Sequence, residues 1–194
     1  MISRRTAKES KESILEAAIK VFSEKGYSQT TIREVAERAG ISVGGVYIYF
    51  KNKEEIYLTL LKYLLDEFRD KTGESIKSIE DPAEAVKKYV AVNLNYAQKF
   101  KGLILIEGRE HGFTSCIDIK KKFFKGQRRL IEEIIRKGIS SGRFERCNVE
   151  GMARVIIGTL RGFILSLVMD SDALFSQKEC SNLILGGLLK RGVR

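Results

Sequence analysis

Apolar residues return every three to four positions along almost the whole chain, the period of an α-helix with one buried face. Ile14, Ala17, Ala18, Val21 and Phe22 mark a first helix over about residues 9–25, with Gly26 as its stop. Ile32, Val35, Ala36 and Ala39 repeat at i, i+3, i+4 and i+7, and Val43, Val46 and Phe50 set the inner side of the next short segment. These predict helices over about 31–39 and 43–49. From Asn52 and Glu55 a long helix runs to about 71, with Ile56, Leu60, Leu64 and Phe68 turned inward. The polar stretch 72–80, which holds Gly73, predicts a loop. Asp81-Pro82-Ala83-Glu84 joins a cap, a proline at the first helical position and an acidic first turn, and opens a helix to about 100. Further helices are expected over 102–113, 115–141 and 148–169. A capping box of Ser176 and Glu179 starts the last one, to about 190. There is no strand alternation and no internal repeat, so the fold class is all-α.

The segment 31–53 carries the most chemistry. Thr31 and Glu34 form a capping box at the start of its first helix. Gly40 suits a left-handed stop, and Ser42 is placed to cap the helix that follows. Tyr47 and Tyr49 cannot share a side with Val46 and Phe50, because neighbouring helical positions face different ways. Two tyrosines and Ile48 on a short solvated helix call for a partner that covers them. Gly44 and Gly45 weaken the helix by about 1 kcal/mol each relative to Ala, and leave room where a phosphate or base edge comes close. Between Glu37 and Glu54 there is no acid, whereas Arg38, Lys51 and Lys53 lie in or beside that span. Two short helices, a glycine turn and outward aromatics on the second helix are the anatomy of a helix-turn-helix, whose second helix enters the DNA major groove.

This segment resembles the DNA-binding domain of the tetracycline-repressor (TetR) family of bacterial regulators. The likeness rests on Thr30-Thr31-Ile32-Arg33, the Ala39-Gly40 turn, Ser42-Val43-Gly44-Gly45-Val46-Tyr47 and Tyr49-Phe50-Lys51-Asn52-Lys53-Glu54-Glu55, and it is strong over residues 10–60. The chain departs from the family pattern at Val43, where many members have Lys, and at Ile48, where many have His or an aromatic. The resemblance implies a three-helix DNA-binding domain over 1–52 and a helical effector-binding and dimerisation domain over 53–194. Expected DNA contacts are Arg4, Arg5, Thr31, Arg33, Ser42, Val43, Gly44, Gly45, Tyr47, Ile48, Tyr49 and Lys53. Arg4 and Arg5 form a basic arm ahead of the first helix.

Net charge is +10 over 194 residues, which favours anionic partners. Residues 1–62 supply only +3 of it and the remainder +7, so the DNA argument rests on local arrangement. Eight bases against two acids fall in 119–137. That run is either a solvated helix face or, in part, the rim of a pocket for an anionic ligand. Tyr89, Tyr96, Phe100, Phe113, Phe123, Phe124 and Phe163 could line such a pocket or belong to the core, with Asn93, Glu107, Arg109, Arg128 and Arg161 as polar candidates. Gly158 and Gly162 stand one helical turn apart, and Gly186 and Gly187 offer the same on the last helix, with Val155, Thr159, Leu183 and Leu188 around them. Those helices either pack on each other within one chain or, as the resemblance favours, form a two-fold dimer interface suited to a palindromic operator.

No catalytic or metal motif is present, and His111 is the sole histidine, so neither an enzyme nor a cofactor is expected. Cys116, Cys147 and Cys180 are scattered, which suits a reducing cytoplasm. The N-terminus has no signal-peptide core, and the apolar run 162–169 is too short to span a bilayer, so no membrane partner is expected. The expectation is a homodimeric, cytoplasmic and nucleoid-associated bacterial transcriptional repressor. A small amphipathic effector, apolar with an anionic end, releases it from its operator; a long-chain acyl-CoA fits, as in fatty-acid-degradation regulators of the family. The alternatives are a multidrug-efflux regulator sensing hydrophobic cations and a non-DNA helical protein binding anionic membrane surfaces.

Overall fold

Thr6 starts the first helix with a capping box: its Oγ1 accepts from the Glu9 amide at 3.2 Å, and the Glu9 carboxylate accepts from the Thr6 amide at 2.7 Å. The computed structural model describes residues 6–101, 116–169 and 176–190, and among them it forms eight helices and no strand. They are α1 (Ala7–Gln29), α2 (Ile32–Ala39), α3 (Val43–Tyr49), α4 (Lys53–Lys77), α5 (Pro82–Lys99), α6 (Ile117–Ser140), α7 (Val149–Met169) and α8 (Gln177–Gly186). The helix expected over 102–113 lies outside the described residues.

The described residues fall into two compact units. The first holds the chain up to Leu65 with Phe100, Lys101, Cys116 and Ile117; the second holds Asp66–Lys99 and the chain from Asp118 onward. In the first unit α1 packs on α2, and α2 on α3. Its core joins Ile14, Ala18 and Phe22 to Val35, Val46, Phe50, Ile56 and Leu60, all fully buried or nearly so. Tyr27 stacks on Phe22 at 5.6 Å and meets the Tyr57 ring edge-on at 5.4 Å. In the second unit α5 packs against α7 and α8, and Val86, Tyr89, Val90, Ile131, Ile135, Ile156, Leu160 and Leu185 build one core.

Gly26 interrupts α1 as expected, and two other boundaries differ from the sequence expectation. Gly26, at φ 81° and ψ 171°, leaves the helical region, and one further short turn follows it to Gln29. The loop expected over 72–80 is mostly helix, since α4 continues to Lys77. The polar average of that stretch hides Thr72 and Ile76, which are buried at i and i+4. The Thr72 hydroxyl donates to the Phe68 carbonyl at 2.7 Å, so it needs no loop to be satisfied. The last helix stops at Gly186 rather than near 190, because Leu188 turns into the core and its carbonyl accepts from the Glu145 amide at 2.8 Å. Finally, the apolar run at 162–169 is part of the longer α7, which by length and composition alone could cross a membrane. Its Ala153, Ile156, Leu160 and Val168 are buried within the protein.

Candidate nucleic-acid interface

Local capping sets the angle between α2 and α3. Thr31 Oγ1 accepts from the Glu34 amide at 3.3 Å, and the Glu34 carboxylate accepts from the Thr31 amide at 2.8 Å. The Lys25 ammonium and the Thr31 donors hold the Glu34 carboxyl down to about 2. Gly40 closes α2 in the left-handed region at φ 65°, and the Ile41 amide donates back to the Ala36 carbonyl at 3.0 Å. Ser42 Oγ then accepts from the Gly45 amide at 3.0 Å and starts α3. Val46 and Phe50 anchor α3 from below at 0% and 1% exposure.

What remains outward is an apolar ridge. Ile48 is 78% exposed and Tyr47 53%, while Tyr49 is half-buried. Val43, expected inward with Val46, is exposed instead, at the first position of the helix where the chain is still turning away from the core. The two glycines of α3 have different reasons to be there. A Cβ on Gly45 would lie 2.6 Å from Ile41 Cγ2, so the turn itself demands glycine. A Cβ on Gly44 meets nothing within 4 Å, so nothing inside the protomer requires its bareness.

The cations also divide. Arg38 is spent on a two-pronged pair with Glu24, both distances 2.8 Å. Lys53 points its ammonium at the end of α1, donating to the carbonyls of Tyr27 at 2.7 Å and Thr30 at 2.8 Å, and it lies over the Tyr27 ring at 4.3 Å. A phosphate contact expected of Lys53 would compete with those carbonyls, so the ammonium first serves the fold. Arg33 and Lys51 are exposed and form no ion pair among the described residues. Arg4 and Arg5 lie outside the described residues.

Residues 14–60 match the family described as bacterial regulatory proteins, tetR family. An HTH-type transcriptional regulator of Bacillus subtilis, YhgD, is 32% identical over 76% of this chain and 78% of its own length. The chain belongs to the TetR family. Within it, the fatty acid metabolism regulator protein of B. subtilis is 28% identical over 89% of this chain and 90% of that protein. The crystal structure of B. subtilis FadR in complex with stearoyl-CoA superposes with a TM-score of 0.75 at 25% identity, covering 90% of this chain and 95% of that one. The chain is thus a TetR-family transcriptional regulator of the FadR-like branch, and its relatives are regulators rather than enzymes.

In this TetR-family chain the aromatic residues proposed for an effector site separate into two groups. Tyr96, Phe123, Phe124 and Arg161 come together in the second unit. Phe68 joins them, its ring 4.4 Å from Tyr96 and 5.8 Å from Phe123; Phe123 meets Phe124 at 5.2 Å, and the Arg161 guanidinium lies 4.4 Å over Phe124. Tyr89 and Phe163 instead belong to or pack on the core. Burial pushes the Tyr89 phenol up, opposed by Asn93, whose own amide donates to the Tyr89 carbonyl at 2.8 Å. Arg128 faces Glu132 at 3.4 Å and Glu150 at 3.7 Å. Phe100 is half-buried and groups with the first unit. Glu107, Arg109 and Phe113 lie outside the described residues, as does His111. Phe68 was legible only as an inward position of α4, since the ring it meets comes from helices distant in the chain.

The stripe proposed for dimerisation is bare. Val155, Leu165 and Met169 on α7 and Leu183 on α8 are each more than half exposed. Gly158, Gly162 and Gly186 would each accept a Cβ with nothing within 4 Å, so packing within the protomer does not call for them. Gly187 is exposed and Thr159 half-buried. Leu188 is the correction: it is 1% exposed in the core of its own protomer, because the chain turns inward after Gly187, and it offers nothing to a partner. The three cysteines are free, and burial raises the Cys180 thiol to about 11. No cluster of metal-ligating side chains occurs among the described residues.

Proposed function

We propose that the chain binds a palindromic operator as a homodimer, acts as a repressor, and is released by an amphipathic effector with an anionic end, a long-chain acyl-CoA. Residues 1–52 are the DNA-binding part and 53–194 the effector and dimerisation part, working at the nucleoid in the cytoplasm. One observation carries the DNA reading: α3 exposes Tyr47 and Ile48 beside Gly44, whose missing side chain serves no contact in the protomer. A helix that must approach base edges and phosphates closely has a use for each feature. Thr31, Ser42, Val43, Gly45, Tyr49 and Arg33 flank that ridge, and the arm of Arg4 and Arg5 adds phosphate contacts through counterion release. The uncharged stripe of Val155, Gly158, Gly162 and Leu183 supports a self-complementary interface with a second copy. The ring cluster around Phe123 and the basic run beside it support an apolar, anionic effector, the chemistry of the stearoyl-CoA bound by the FadR relative.

Release requires the effector to favour the DNA-incompetent dimer, by about 1–3 kcal/mol for typical coupling. The test selects an operator from random duplexes and then titrates the complex. Stearoyl-CoA is expected to release DNA; release by hydrophobic cationic dyes alone, with stearoyl-CoA inert, replaces this reading with that of an efflux regulator. Arg33→Ala is expected to relax preference at one base pair, a loss of about 1–3 kcal/mol in discrimination. Vesicle binding in a protein that selects no operator would end the DNA reading.

A further inference from the structure

Helix α6 carries a cationic stripe on its solvent side. At about 100° per residue, Lys122, Lys125, Arg129 and Arg136 fall within about 60° of arc. All four are exposed, and they stand opposite the buried Gln127, Ile131 and Ile134. The stripe therefore points away from the core of its own unit.

Charges on either side of the stripe are neutralised. Toward α4, the Arg69 stem lies 3.8 Å from where a Cβ on Gly126 would stand, and its guanidinium meets Asp66 at 2.6 Å and Asp70 at 2.9 Å. Toward α7, Arg128 and Arg136 both meet Glu132, and Arg128 and Arg154 both meet Glu150. Asp118 and Glu133 are the exposed acids at the edges, and Asp118 lies 3.8 Å from Lys121. Lys122, Lys125 and Arg129 form no ion pair among the described residues. They follow one another at i, i+3 and i+7, spacings at which like charges on a helix repel. The free protein bears that repulsion, and an anionic partner relieves it.

The stripe suits a nucleic-acid backbone better than a bilayer. No apolar residue lies among its cations; Ile117, the exposed large apolar residue of α6, falls outside that arc, and the apolar face of the helix is in the core. A bilayer would gain no insertion from it, and three cations alone hold an anionic surface weakly. Phosphodiesters need only a line of cations. At the helical rise, Lys122 to Arg129 spans about 10 Å, a length over which one strand of duplex DNA carries about three phosphates.

We propose that the outer face of α6 is a second, sequence-independent contact for duplex DNA, in which Lys122, Lys125 and Arg129 meet backbone phosphates. It is separate from the helix-turn-helix and reads no bases. It gives the regulator a hold on duplex that α3 does not touch.

The test disables the first contact in the full chain and measures the second. Gly44→Glu with Tyr47→Glu places two acids on α3 at positions where the protomer has open space or solvent. This chain is expected to bind a duplex of unrelated sequence at low salt, and to lose about fortyfold in affinity between about 50 and 200 mM, the slope of about −2.7 that three phosphate contacts give. Adding Lys122→Gln, Lys125→Gln and Arg129→Gln should remove that binding without lowering Tm, because like-charge repulsion is relieved. In an otherwise wild-type chain the same three substitutions should flatten the salt slope of operator binding by about 2.7 and leave base preference unchanged. Vesicles rich in phosphatidylserine should not bind. An unchanged salt slope in the triple variant overturns the proposal and makes the stripe a solvated face, with the operator reading intact. Duplex binding that survives the three substitutions places the contact elsewhere and also overturns it. Binding to the vesicles but not to the duplex replaces DNA with a membrane surface. If wild type selects no operator while the α6 substitutions still remove duplex binding, the operator reading fails and the stripe stands.

Discussion

Two apolar surfaces of this protein are exposed, and they differ in what surrounds them. On α3, Tyr47 and Ile48 are exposed, Arg33 and Lys51 are exposed within the same helix-turn-helix segment, and there is no acid between Glu37 and Glu54. On α7, Val155, Leu165 and Met169 run down one stripe with Gly158 and Gly162 between them, and Leu183 of α8 is exposed as they are. The first combination suits a polyanion with an apolar groove floor; the second suits the same stripe on a second copy of the chain. Exposed apolar area alone does not name a partner, whereas the charge at its edge and the reason for each glycine do.

The largest effect should come from the second surface. Gly158→Leu with Gly162→Leu adds bulk where the protomer has open space, so each subunit folds and the dimer does not form. Sedimentation should show monomers, and operator affinity should fall by about a hundredfold or more as the second half-site is lost. A normal dimer in this variant would place the interface elsewhere.

Lys53→Ala tests whether the cations near α3 serve DNA or the fold. Removing an ammonium that holds the Tyr27 and Thr30 carbonyls should destabilise by about 1–3 kcal/mol, read as a lower Tm in the absence of DNA. An unchanged Tm with weaker, less salt-dependent operator binding would return Lys53 to the phosphate contacts.

The glycine pair sharpens the first surface. Gly45→Ala should destabilise by about 1–3 kcal/mol, because its Cβ would overlap Ile41. Gly44→Ala should stabilise the free protein by up to about 1 kcal/mol through helix propensity, while weakening operator binding. Equal effects of the two on stability would remove the distinction.

The smallest effect concerns acid. The Glu34 carboxyl lies near 2 in the fold against an ordinary value of 4.5, so its contribution is fully present above pH 4.5 and is lost as pH falls towards 2. Glu34→Gln should flatten the acid limb of the stability profile in that window. The neutral-pH loss should be small, as expected for an exposed pair.

Legibility along the chain follows the range of the interactions. The capping boxes at Thr31 and Ser176, the Gly40 turn and the Ser42 cap were readable because every partner lies within four residues. Tyr47 outward and Val46 inward follow from helical period alone. The family's motif added what the DNA-facing side is for. The failures cluster where a partner is distant. The 72–80 stretch is polar on average but buries two residues that only a neighbouring surface can reward. Lys53 and Arg38 read as free cations until their carbonyl and carboxylate partners, 23 or more and 14 positions away, were in place.

By itself, then, the sequence determined the helices, their caps, the helix-turn-helix and the family, all of which are short-range or motif-level facts. Tertiary structure decided which glycine is structural, that Leu188 is core rather than interface, that Phe68 joins Tyr96 and Phe123, and that Gln127 is buried without a partner. Each of these depends on atoms brought close by folding from remote parts of the chain, and a helical period tells which way a side chain points but not what it meets.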